Sequence, residues 1–197
     1  SLGLHPYFIH QHQSTHINAL ASCFESLSDS ARARCQAIGE IGLDATCEQP
    51  KLQKALLDQQ LVLAKNYQLP VILHHRKTLD ELLKSVREKR VEYGVVHAFS
   101  GSYEQAAAWV DQGFKLGIGG TITYERAKKT RDAIQRIGVE HLVLETDAPD
   151  MPLCGYQGRR NEPKRVAQVL ESLAKLLETS TEAISPVLWK NSTALFN

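Results

Sequence analysis

Short apolar runs alternate along this chain with stretches whose apolar residues recur every three or four positions, a rhythm that predicts strands and helices in turn. Leu2 to Leu4 reads as a first short strand and Gln36 to Ile41 as the next. Pro50 to Tyr67 reads as a helix with Leu52, Ala55, Leu56, Val62 and Leu63 on one side. Pro70 to His74 is a buried strand, and Thr78-Leu79-Asp80-Glu81 is a capping box that opens a helix with Leu79, Leu82, Leu83 and Val86 inward. Tyr93 to Ala98 follows as a strand. A second capping box, Ser102 to Gln105, then precedes Ala106, Trp109 and Val110. Phe114 to Ile118 is a strand ended by Gly119-Gly120, Ala127 to Ile137 a polar helix, and Leu142 to Thr146 the last strand. Helices over Glu162 to Glu178 and Thr181 to Phe196 close the chain, and Trp109 and Trp189 read as core.

Strands alternating with helices imply a parallel sheet of right-handed βαβ units. An open doubly wound sheet and a closed barrel share that rhythm. No GxGxxG follows any strand, which removes the main support for a dinucleotide fold. The polar residues at the strand ends favour a single α/β domain over 1–197 of the TIM-type (β/α) barrel class.

Those strand ends carry Glu40, His74, His97 and Asp147. In a parallel barrel all C-terminal strand ends surround one mouth, where the catalytic groups of this fold sit. Imidazoles and carboxylates together suit Zn²⁺ or Mn²⁺. Taken singly, each residue has a bland reading: a strand-end histidine is usually a hydrogen-bonded rim residue, Glu40 could cap a loop, and Asp147-Ala148-Pro149 has turn chemistry. A carboxylate or imidazole is costly to leave unsatisfied beside apolar strands, and four such residues at strand ends favour a metal centre. Strand alternation puts His75 on the face opposite His74 and returns Arg76 to His74's side, where a guanidinium suits a phosphate or carboxylate oxygen or a surface salt bridge.

Composition changes this picture little. The chain has 197 residues, 43% of them hydrophobic, enough for one buried domain. Its 23 basic and 22 acidic residues create no global field for nucleic acid, so any such binding rests on local clusters. No apolar run approaches the ~20 residues of a membrane span, and no signal peptide is seen. Cys23, Cys35, Cys47 and Cys154 form no CxxC pair and read as free thiols, hence an expected cytoplasmic location. The chain enters Leu2-Gly3-Leu4-His5-Pro6 at once, without a starting Met, as though in the middle of a fold.

Six ordered blocks resemble those of TatD-type metal-dependent deoxyribonucleases of the amidohydrolase-like superfamily. They are Gly3-Leu4-His5-Pro6, Gly39 through Asp44 (GEIGLD), Pro70 through Arg76, His97 through Gly101, Glu145 through Pro149 (ETDAP) and Arg160 through Pro163. The resemblance implies the barrel above and hydrolysis of phosphodiester bonds by a metal-activated water, with DNA the usual substrate and 3′ exonuclease action common. It implies that Glu40 bridges two divalent ions (Zn, Mg or Mn), that His74 and His97 bind one, and that Asp147 binds the other and carries the proton. His5 would line the mouth and, with Arg76 and Arg160, contact substrate.

The sequence departs from that family in one respect. Members begin with a strand ending in His-x-His, which supplies two ligands to the Asp147 ion, and none precedes Leu2. His10-Gln11-His12 has the spacing but follows the His5 block and reads as a loop. Six strands against the eight of a complete barrel, and a length below ~250 residues, imply that two βα units are missing from the front. One ion is then expected to bind well and a second poorly, and open sheet edges invite homo-oligomers. Arg159, Arg160, Lys164 and Arg165 flank a helix start, a second phosphate-binding candidate. Tyr156 could stack on a base or anchor its loop. Two alternatives remain: an inactive barrel that only binds metal or serves as a structural module, and a hydrolase of small amide or ester substrates.

Overall fold

The computed structural model describes residues 1–196. It contains eight α-helices, α1 (His16–Ser26), α2 (Asp29–Ala33), α3 (Pro50–Tyr67), α4 (Leu79–Lys89), α5 (Tyr103–Asp111), α6 (Lys128–Ile137), α7 (Val166–Leu176) and α8 (Thr181–Phe196). The strands are β1 (Ile38–Asp44), β2 (Val71–Arg76), β3 (Gly94–Val96), β4 (Phe114–Ile118) and β5 (Leu142–Leu144), in sheet order β1-β2-β3-β4-β5. Two compact units share the chain, Ser1–Val95 with Phe196, and Val96–Leu195. No described helix is long and apolar enough to cross a membrane.

In the first unit β1 and β2 pair in parallel, from Ile38 opposite Val71 to Asp44 opposite Arg76. α3 packs against β1, α1 and α4, burying Leu56, Leu57 and Leu61 with Ile38, Ile41, Val71 and Leu73. The Phe24 and Tyr67 rings, 5.2 Å apart, fasten α1 to α3. Three expectations are corrected in this unit. β1 continues past Glu40 to Asp44, so Glu40 lies inside the strand, at a register shift between Gly39 and Ile41. Leu2 to Leu4 is not a strand, because only Leu2 bridges to Ile38. At Leu4 the buried amide of Gln60 takes over, accepting the N–H at 2.6 Å and donating to the carbonyl at 3.4 Å. Thr78 does not cap α4, since its hydroxyl donates instead to the Leu43 carbonyl at 2.8 Å and ties the helix start to β1. The inward residues of α4 are buried as expected.

In the second unit β4 and β5 pair in parallel, Leu116 opposite Leu142. The Ser102–Gln105 capping box opens α5, and Trp109, wholly buried, packs on Phe114 with ring centroids 5.1 Å apart. Trp189 corrects the expectation of a second core tryptophan, being 73% exposed. α8 buries Ile184, Leu188, Asn191 and Leu195, a stripe at helical spacing, and Trp189 falls one residue off it. Buried Asn191 donates to the carbonyls of Val139 and Leu142 at 2.9 and 2.7 Å, pinning α8 at the start of β5. α7 begins at Val166, after a 3₁₀ turn at Pro163–Arg165, rather than at Glu162.

Candidate metal centre

The first unit brings His5, Glu40 and His74 together, with one ligand-type atom of each within 4.8 Å of the others. Glu40 Oε1 lies 3.3 Å from His74 Nδ1 and 3.4 Å from His5 Nε2. Gly42 permits this approach of β2 to β1, because a Cβ there would meet the His74 carbonyl oxygen at 1.9 Å.

The two histidines present different nitrogens. His74 Nε2 faces Asp44 Oδ2 at 3.2 Å. Burial opposes ionisation of Asp44, but the hydroxyl and N–H of Thr46, with His74, outweigh it and hold the carboxyl below the ordinary carboxylate range. An ionised carboxylate only accepts, so a neutral His74 carries its proton on Nε2 and turns the Nδ1 lone pair toward Glu40. In His5, Nδ1 accepts the Tyr7 N–H at 3.0 Å. Neutral His5 therefore carries its proton on Nε2, the nitrogen nearer Glu40, although Glu40 Oε1 accepts no hydrogen bond there.

The second unit brings His97 and Asp147 together. His97 Nδ1 lies 2.7 Å from Glu145 Oε2 and Nε2 lies 3.2 Å from Asp147 Oδ1. Glu145 Oε1 accepts the Ala98 N–H at 2.7 Å, which fixes the carboxylate. Ala98 and Asp147 both adopt left-handed backbone, φ 46° and 54°, a conformation far more natural for Asp than for Ala. Gly117 leaves room for Glu145, whose Oε2 would stand 2.4 Å from a Cβ at that position.

Each unit thus holds an imidazole nitrogen facing a carboxylate oxygen, 3.3 Å apart in the first and 3.2 Å in the second. On a neutral ring these are two acceptors in contact, a conflict that a second ring proton or a cation ligated by both removes. Ligand bonds of about 2.0–2.2 Å in tetrahedral array put donor atoms roughly 3.4 Å apart. The residues therefore fit a divalent metal, Zn²⁺ or Mn²⁺ being suited to the mixed nitrogen and oxygen donors.

The expected substrate residues fare unequally. Arg76 is exposed at the end of β2, and its charge reaches Cys47. Arg160 is exposed, but the basic cluster around it is smaller than the sequence suggests. Arg165 is buried, pairs with Glu162 at 2.9 Å and lies over the Tyr156 ring at 4.0 Å, while Lys164 also pairs with Glu162, at 2.8 Å. Tyr156 further accepts a hydrogen bond from Gln168 at 3.1 Å and anchors its loop. His10 lies in the 3₁₀ turn Pro6–Gln11 and His12 just after it, not at a strand end. Sequence reasoning missed Asp44 and Glu145 as partners of the two histidines. Both stood inside the blocks noted above, GEIGLD and ETDAP, as carboxylates near a candidate ligand.

The family described as TatD related DNase matches residues 1–197. The metal-dependent hydrolase YjjV of Escherichia coli K12 is 44% identical over 200 residues, covering all of this chain and 76% of that protein. A metal-dependent hydrolase of Haemophilus influenzae is 41% identical over 203 residues, with the same coverage. The crystal structure of YjjV, a TatD homologue, superposes on the whole chain and 76% of its own with a TM-score of 0.93 at 45% identity. A TatD family hydrolase of Entamoeba histolytica shares the fold, with a TM-score of 0.73 over 93% of this chain and 72% of its own, at 22% identity.

Proposed function

Since the chain belongs to the TatD family of metal-dependent hydrolases, with that family's TIM-type α/β fold, we propose that it cleaves phosphodiester bonds, with DNA as substrate and the 3′ end as the point of attack. The observation that carries this reading is the pair of imidazole nitrogens, each facing a carboxylate oxygen at the spacing of two ligands of one ion. Glu40 with His74, and Asp147 with His97, would hold divalent metal, which supplies charge to neutralise the phosphoryl oxygens and to acidify the attacking water.

The chain's own residues account for the remaining roles. His5, with its proton on Nε2, donates a hydrogen bond to a phosphoryl oxygen. Asp147, a third exposed, accepts the proton of the attacking water on a carboxylate oxygen. Exposed Arg76 and Arg160 each supply a cation for the polyanion. A nearly neutral chain needs such local cations, having no overall positive field.

The test is incubation with a 3′-labelled single-stranded oligonucleotide and Mg²⁺, Mn²⁺ or Zn²⁺. Nucleotide release that His97→Ala abolishes is the expected result. No release with any of the three metals overturns the proposal. Arg160→Ala should weaken binding and reduce its salt dependence; unchanged affinity and salt slope would remove Arg160 from the interface.

A further inference from the structure

We propose that Asp44 is a positioning residue that decides which nitrogen of His74 is free, held to that task by Thr46 and Gln53. Its effect on metal binding rests on the reading that Glu40 and His74 hold an ion; its effect on the His74 proton does not.

Asp44 is a costly residue to bury, with its side chain 1% exposed. Both Thr46 donors converge on one oxygen, the N–H at 2.8 Å and the hydroxyl at 2.6 Å on Oδ1. Oδ2 is left for His74 Nε2 at 3.2 Å. The backbone beneath is fixed by Gln53 of α3, itself buried. Its Oε1 accepts the Asp44 N–H at 2.8 Å, and its Nε2 donates to the Asp44 and Glu48 carbonyls at 3.1 and 2.9 Å. Helix, loop and strand end thus set the carboxylate's position and rotation. The chain of contacts reaches His74 at Nε2, and so decides what Nδ1 shows to Glu40.

The arrangement makes a sharp prediction for Asp44→Asn. Two Thr46 donors on Oδ1 require an acceptor there, so the amide oxygen takes that place. The amide NH₂ then faces His74 Nε2, which must become the acceptor. The proton moves to Nδ1, the nitrogen 3.3 Å from Glu40 Oε1, and the lone pair that faced the carboxylate is gone. Shape and volume are nearly unchanged, so a merely structural role for Asp44 would leave the His74 proton where it was.

The experiment is ¹⁵N NMR of the histidine rings, with and without Asp44→Asn, in metal-free protein, followed by titration with Zn²⁺ alone. Expected are a His74 proton on Nε2 in the parent, on Nδ1 in the variant, and affinity for Zn²⁺ lower in the variant by about 10–100-fold. A parent proton on Nδ1, or a variant that keeps it on Nε2, overturns the inference. The parent measurement decides alone if the variant does not fold. A moved proton with unchanged Zn²⁺ affinity overturns the link to metal binding. A parent that binds no Zn²⁺ counts against the proposed function, while the ring proton still judges Asp44.

Discussion

His97 meets Glu145 through Nδ1, at 2.7 Å, which leaves its Nε2 for Asp147. His74 does the reverse, giving Nε2 to Asp44 and keeping Nδ1 for Glu40. Each imidazole has a carboxylate behind one nitrogen and another carboxylate in front of the other. Supporting carboxylates of this kind fix ring orientation and raise ligand basicity.

Glu145→Gln should therefore disable His97 without removing it. The Ala98 N–H keeps the amide oxygen in the Oε1 position, so the NH₂ faces His97 Nδ1 and the ring proton moves to Nε2. Metal affinity should fall by about 10–100-fold. Metal titration of the purified variant checks this, and unchanged affinity would return Glu145 to a purely structural role.

Gly117→Ala should displace the same carboxylate from a different direction. The new Cβ would stand 2.4 Å from Glu145 Oε2 and 3.1 Å from the Val96 carbonyl. Overpacking of this kind typically costs about 1–3 kcal/mol. Urea denaturation reads the stability loss and metal titration the displaced ligand partner. A variant as stable and as metal-avid as the parent would contradict the crowding.

Cys47 should alkylate slowly. Burial raises its thiol above the ordinary value, the nearby Asp44 charge and hydrogen bonding raise it further, and Arg76 opposes the shift. A raised value lowers the thiolate fraction at neutral pH, so the rate should climb only above the ordinary thiol range near ~8.5. Exposed Cys23 and Cys154 should react first. Mass spectrometry of iodoacetamide-treated protein at stepped pH measures the order. Asp44→Asn should quicken Cys47, since it removes a negative charge.

The two tryptophans should separate cleanly. Trp109→Ala empties a fully buried site against Phe114 and should cost about 3–5 kcal/mol. Trp189→Gln, on the exposed face of α8, should stay within about 0.5 kcal/mol of the parent. Equilibrium unfolding of both variants compares them directly, and a large loss from Trp189→Gln would refute the placement of that ring.

The order of elements from β1 to α8, the buried face of α4 and the Ser102 capping box were legible in the sequence, whereas on α3 the expected face holds only in part, with Leu56 and Leu63 buried but Val62 43% exposed. Periodicity and capping are local, and a titratable residue beside an apolar run is conspicuous. Which neighbour turns each side chain is not local. Thr78 looked like a cap and instead bonds the Leu43 carbonyl, 35 positions away. Leu4 looked like strand and instead meets the amide of Gln60, 56 positions away. Trp189 looked buried until the stripe of α8 was seen to pass beside it. Asp44 and Glu145 are ordinary carboxylates in the linear chain, because a hydrogen bond spanning 30 or 48 positions has no sequence period. Only the packed structure decides which ring nitrogen each one claims, and therefore which nitrogen is left to bind a metal.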